Sequence, residues 1–204
     1  MQVYVDGAKV DEDFGDGGTL EDTIRKVQET QCAPDQLVIG LSCDGQEVPG
    51  PQIPATLKMP ADDFDRLDVV TSTKGRLVGE AMDQASDTLN EAEEALQEIA
   101  SLLIEGRAAE ALAGLGDCAR VWQQIHESII RSIELLQIDP EKMRVREGTL
   151  TDAMLQPRSV LQQIRDALQA QDHVLLADVL QYEFAEAMED WHAVIAGIRA
   201  SAKS

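Results

Sequence analysis

Basic residues are scarce in this 204-residue sequence: seventeen Lys and Arg stand against thirty-eight Asp and Glu, a formal net charge of −21 at pH 7. Such a chain repels nucleic-acid phosphates and anionic lipid, so neither a nucleic-acid partner nor a membrane surface is expected. Cysteine is scarce too. Cys32, Cys43 and Cys118 are odd in number and show no Cys-x-x-Cys spacing, which argues against a disulfide framework and against a zinc knot. No segment approaches the run of about eighteen apolar residues needed to span a bilayer, and the opening Met-Gln-Val-Tyr-Val-Asp-Gly has no basic stretch leading into an apolar one. Together these absences lead us to expect a cytoplasmic protein with reduced thiols. The 44% hydrophobic content is ordinary for a globular chain, so the acidity reads as a solvated surface over folded structure.

Proline is the last scarcity, and it is uneven. Five of the seven prolines lie between Pro34 and Pro60, and only Pro140 and Pro157 follow residue 73. Helical periodicity takes over at the same point, which predicts two domains, 1–73 and 74–204, with the boundary at Thr71 to Gly75. In the first, Gln2 to Val5 is β-prone, Asp6-Gly7 signals a hairpin turn, and Ala8 to Val10 returns. Thr19, with Asp22 three residues on, caps an amphipathic helix through Leu20, Ile24 and Val27 to about Gln31. Leu37 to Cys43 alternates like a strand, Asp44-Gly45 offers a second turn, and Leu67 to Thr71 supplies a last strand.

The second domain predicts four helices: about Gly75 to Glu105, Arg107 to Ile138, Thr149 to Ala170 and Asp172 to Ala202. Val78, Met82, Ala85, Leu89, Ala92, Leu96, Ile99 and Leu103 recur at spacings of four and three, the heptad seam of helix-on-helix packing. Leu115, Cys118, Trp122, Ile125, Ile129, Ile133 and Leu136 share a face of the second helix, and Leu161, Ile164 and Leu168 mark the third. Short connections favour antiparallel neighbours. Pro157 either breaks the third helix or stands in the first turn of a shorter one. The expected fold class is α+β, with a β-grasp-like amino-terminal domain followed by an antiparallel four-helix bundle.

The ββαβ(β)β order of residues 1–73 resembles the β-grasp, or ubiquitin-like, fold in topology and size. The stretch Asp172-His173-Val174-Leu175-Leu176-Ala177-Asp178-Val179-Leu180-Gln181-Tyr182-Glu183, with the later Trp191, resembles the last helix of uncharacterised bacterial proteins that join such a head to a helical bundle. The bundle is also similar to the flagellin export chaperone family, whose closing helix ends near a tryptophan. Neither resemblance carries a catalytic motif onto these residues.

The chemistry-bearing residues predict no catalytic, cofactor or metal site. Di-metal bundles need two Glu-x-x-His pairs. Glu189 to His192 provides one, but His126 has Gln123 three residues before it and His173 has Ala170. Helical phase also turns Glu189 away from the apolar arc of Leu176, Leu180, Phe184, Ala187, Trp191 and Ile198. Gly15-Asp16-Gly17-Gly18 precedes a helix, yet no Gly-Lys-Ser/Thr follows and Asp11, Glu12, Asp13, Asp16, Glu21 and Asp22 would repel a phosphate. A conjugated modifier needs a free Gly-Gly terminus, whereas here the last strand runs through Thr73-Lys74-Gly75 into a helix.

What remains is a non-enzymatic interaction or assembly module that binds an unknown protein partner or itself. Leu175, Val179 and Tyr182 form a second apolar strip, set about 100° to 160° from the main core face, that must touch something. Glu183 falls inside the apolar arc, where a carboxylate needs a cation or donors. Arg165 is its expected partner, and His126, near Trp122 and Ile129, a second candidate. The alternative is an enzyme or small-ligand binder with a pocket between the two domains.

Overall fold

A computed structural model describes residues 1–203 apart from Asp13, Gly15 and Asp16, so half of the Gly15 to Gly18 turn lies outside the described residues. The chain divides into two compact units, Met1–Leu77 and Val78–Ser204. The architecture is α+β: a mixed five-stranded, β-grasp-like sheet, then a helical region.

The sheet unit runs β1 (Gln2–Val5), β2 (Ala8–Lys9), α1 (Leu20–Thr30), β3 (Gln36–Cys43), β4 (Gln46–Glu47), the short α2 (Ile53–Thr56) and β5 (Arg66–Thr73). Strand order is β2-β1-β5-β3-β4. β1 pairs parallel with β5, and the other pairings are antiparallel. Both hairpin turns have positive φ at both central residues, 49° and 82° at Asp6-Gly7 and 50° and 79° at Asp44-Gly45. That geometry matches the right-handed twist of the strands it joins. Each aspartate also fastens its turn to β5. Asp6 accepts from the Thr71 amide (2.8 Å) and hydroxyl (2.6 Å), and Asp44 from the Arg66 amide (2.8 Å). α1 begins at a capping box between Thr19 and Asp22 and lays Leu20 and Val27 onto Val3, Leu41, Leu67 and Val69, all buried.

In the helical unit, α3 (Lys74–Ile104) and α4 (Ala108–Leu136) are joined through Gly106, whose φ of 79° turns the chain where a side chain would be strained. All eight seam residues of α3 are buried. A hairpin that the sequence reading did not anticipate follows, β6 (Arg144–Val145) and β7 (Gly148–Thr149). It is pinned by buried Val145, by Arg146 on Glu189 (3.2 Å) and Asp190 (2.8 Å), and by Met143, whose terminal methyl packs against Gly197. The expected third helix is two: α5 (Leu150–Leu155), opened by a Thr149–Asp152 capping box, and α6 (Pro157–Ala170), with Pro157 in its first turn, where the missing N–H costs nothing.

The expected fourth helix is also interrupted. α7 (His173–Asp178) passes through a π turn at Val179–Glu183 into α8 (Phe184–Ser201). A π turn accommodates one extra residue, so helical phase does not carry across it. Among the described residues no helix is long and apolar enough to cross a membrane.

Candidate binding groove

The π turn corrects two expectations drawn from phase alone. Val179 is core, only 2% exposed, while Leu175 and Tyr182 face solvent, so the three form no strip. Glu183 is exposed rather than inside the apolar arc, and the Arg165 guanidinium lies on its neighbour Asp166 (2.9 Å), not on Glu183. Glu189 and His192 turn to separate partners, Glu189 to Arg146 and His192 to Glu93 at 3.7 Å. Of the six candidate site residues, Leu175, Val179, Tyr182, Glu183, Arg165 and His126, only His126 lines the main apolar feature of the helical unit.

That feature is an open apolar groove of about 880 Å³, walled by α4 on one side and by α5 and α6 on the other. Its floor is aromatic. Trp122 meets Trp191 edge-to-face at 4.5 Å between ring centroids and Phe184 at 5.0 Å, and His126 lies 5.8 Å from Trp191. These pairings hold the rings in an edge-to-face geometry that their quadrupoles favour. The walls are apolar seams. α4 contributes Leu112, Leu115, Ala119, Trp122, His126 and Ile130, and α6 contributes Pro157, Leu161, Ile164 and Leu168. The steps are three and four residues, the spacing by which one helix receives another.

The groove walls are not closed over. Leu161 is 56% exposed, Leu155 45%, Leu112 41%, Ile130 39% and Leu168 38%. Scattered exposed leucines are ordinary, but these converge on one depression. Among the described residues Arg158 is the only Lys, Arg, Asp or Glu in the lining. Three buried nitrogens around the floor, Trp122 Nε1, His126 Nε2 and Trp191 Nε1, have no hydrogen-bond partner among the described residues. An indole N–H can only donate. Cys118 also lines the groove, but burial, aided by Asp117, pushes its thiol above the ordinary range and leaves it a poor nucleophile.

A family model described as Domain of unknown function (DUF8042) matches residues 80–194. The chain belongs to the DUF8042 family. All of the groove residues, from Leu96 to Trp191, fall within the stretch that defines DUF8042, whereas the sheet unit precedes it. No curated protein and no solved structure matches the chain.

The sequence reading missed the groove because it assigned the apolar residues of α4 to one face. α4 carries two: a buried face of Cys118, Ile125, Ile129 and Ile133, and beside it the groove-facing seam. The signal was an apolar arc on α4 wider than one neighbouring helix covers.

Proposed function

We propose that the protein is a non-enzymatic binding module that holds a helix of a partner protein in the groove between α4 and α5–α6. The observation that carries this reading is the pair of heptad-spaced seams, one on α4 and one on α6, both turned toward the same unfilled space. Leu112 and Ile130 lie about 27 Å apart at the helical rise, so the α4 wall matches a helix of about five turns. Amphipathic helices are received in such grooves through anchors at i, i+3 or i+4, and i+7. A cytoplasmic setting goes with this reading, supported by three free thiols. The charge of −21 supports a protein partner over nucleic acid. The β-grasp-like topology of the sheet unit supports a ubiquitin-like reading of that unit.

The test is a photo-crosslinking residue placed at position 161 of the full chain in its native cells, with position 175 as control. The expected product is a cross-link from position 161 that maps to an amphipathic helical segment of one protein and is lost with Leu168→Asp. Equal products from both positions would sink the reading. A second reading, a small apolar ligand bearing a hydrogen-bond acceptor, is favoured by the three unpartnered nitrogens of the floor. Native mass spectrometry separates the two: a stoichiometric small mass lost with Trp191→Phe supports the ligand.

A further inference from the structure

We infer that the partner helix carries charges of opposite sign on its two flanks, basic toward α4 and acidic toward α6; this rests on the helix reading above. Each groove wall has a charged rim, and around Ile130 and Leu161 the two differ in sign; one heptad earlier on the α4 rim stands Arg120, which is paired with Asp117 on its own helix. On α4, Glu127 and Glu134 stand seven residues apart and bracket Ile130, three before it and four after, on the solvent side of the seam. On α6, Arg158 and Arg165 also stand seven apart and bracket Leu161 in the same way. These are the places from which flanking charges on packed helices select a partner and set its direction.

Both rims are available to an incoming helix. Glu127 is touched by Arg131 at 3.6 Å and Gln123 at 3.3 Å, and Arg165 by Asp166 at 2.9 Å. All lie on exposed side chains, where such pairs are weak enough to exchange. A second copy of this chain is disfavoured as the occupant. Two chains of charge −21 repel, and the α3 seam from Val78 to Leu103 and the apolar arc of α8 from Phe184 to Ile198 are already buried within their own unit.

The test uses three synthetic amphipathic helices of about 18 residues, long enough to follow α4 from Leu112 to Ile130. All share the same leucine anchors. One has Lys on one flank and Glu on the other, one has Lys on both, and one has Glu on both. Each is titrated by fluorescence anisotropy against the full chain and against an Arg158→Glu/Arg165→Glu form, at about 0.15 M salt and again at about 0.5 M. The full chain is expected to bind the two-signed peptide about tenfold tighter than the all-Glu one and measurably tighter than the all-Lys one. The double variant should prefer the all-Lys peptide, and the higher salt should narrow each gap. An unchanged order of preference in the variant overturns the inference.

A Leu161→Asp form separates this failure from failure of the groove itself. If it abolishes binding while Arg158→Glu/Arg165→Glu leaves preference untouched, the groove stands and the charge rule falls. If no peptide binds, or all bind Leu161→Asp as before, the helix reading falls and takes the charge rule with it. Sedimentation that shows a dimer dispersed by Leu161→Asp assigns the groove to a second copy and overturns both.

Discussion

α3 and α6 carry the same kind of pattern and meet opposite fates. In α3 every seam residue from Val78 to Leu103 is 5% exposed or less, whereas in α6 Ile164 is buried but Leu161 and Leu168 are 56% and 38% exposed. Heptad spacing says that a helix needs cover over one face. It does not say whether the same chain supplies that cover. α3 lies in the main cluster, where residues of α4, α5, α6 and α8 also lie, while half of the α6 seam and a matching seam on α4 remain open. The difference marks where folding ends and recognition can begin.

The sharpest way to break this comparison is to cut both seams. Leu89 sits at the middle of α3 with no exposure, so Leu89→Ala removes buried methyl groups and leaves a cavity. The expected cost is about 3 kcal/mol in chemical denaturation. A cost below about 1 kcal/mol would mean that the α3 seam is no better covered than that of α6.

Val179 and Tyr182 offer the next contrast, within one π turn. Val179→Ala is expected to cost about 2 kcal/mol, because the side chain is buried among the helices. Tyr182→Ala should fall within about 0.5 kcal/mol, as the ring is 65% exposed. Equal costs would restore the continuous strip that regular helical phase predicts.

These residues show what the sequence discloses and what it hides. The α3 seam, the Asp6-Gly7 and Asp44-Gly45 turns and the Thr19 cap are local signals, complete within a few residues, and each appears where the pattern puts it. The parallel pairing of β1 with β5 joins residues more than sixty apart and has no local signature. The β6–β7 hairpin turns on Arg146, a non-glycine residue at φ 48°, so the usual Asn-Gly or Asp-Gly cue is missing. The π turn carries no cue at all, and an assumed 100° per residue therefore misplaced both Val179 and Glu183. Part of the groove was visible as Leu161, Ile164 and Leu168, but an exposed seam and a buried one spell alike.

A smaller effect concerns how the groove wall is held. Thr149 and Asp152 cap α5, which leads into the wall residues Met154 and Leu155. Thr149→Ala is expected to cost about 1 kcal/mol. The Thr149 amide and hydroxyl hold the Asp152 carboxyl below its ordinary range. The cap therefore contributes fully above about pH 4 and fades as pH falls through the lower folded value. Amide exchange on acidification should open α5 before α3, whose seam involves no titrating group. Simultaneous opening would tie the wall to the core and remove the distinction.

The smallest stability effect is the most informative. Leu161 lies at the centre of the α6 seam, yet over half of its surface already meets water. Truncation to alanine should change unfolding free energy by no more than about 0.5 kcal/mol, because little burial is lost and no closed cavity forms. In a chain folded around its own needs, a leucine that costs nothing to remove is unremarked surface. In a groove built to receive a helix, the same leucine is an anchor, and its loss should weaken a bound amphipathic helix by about tenfold or more. Measuring both quantities on one Leu161→Ala variant puts the two accounts in direct opposition. A stability loss near that of Leu89→Ala would show that α6 is covered after all. Unchanged stability with unchanged helix affinity would leave the exposed seam without a purpose in recognition.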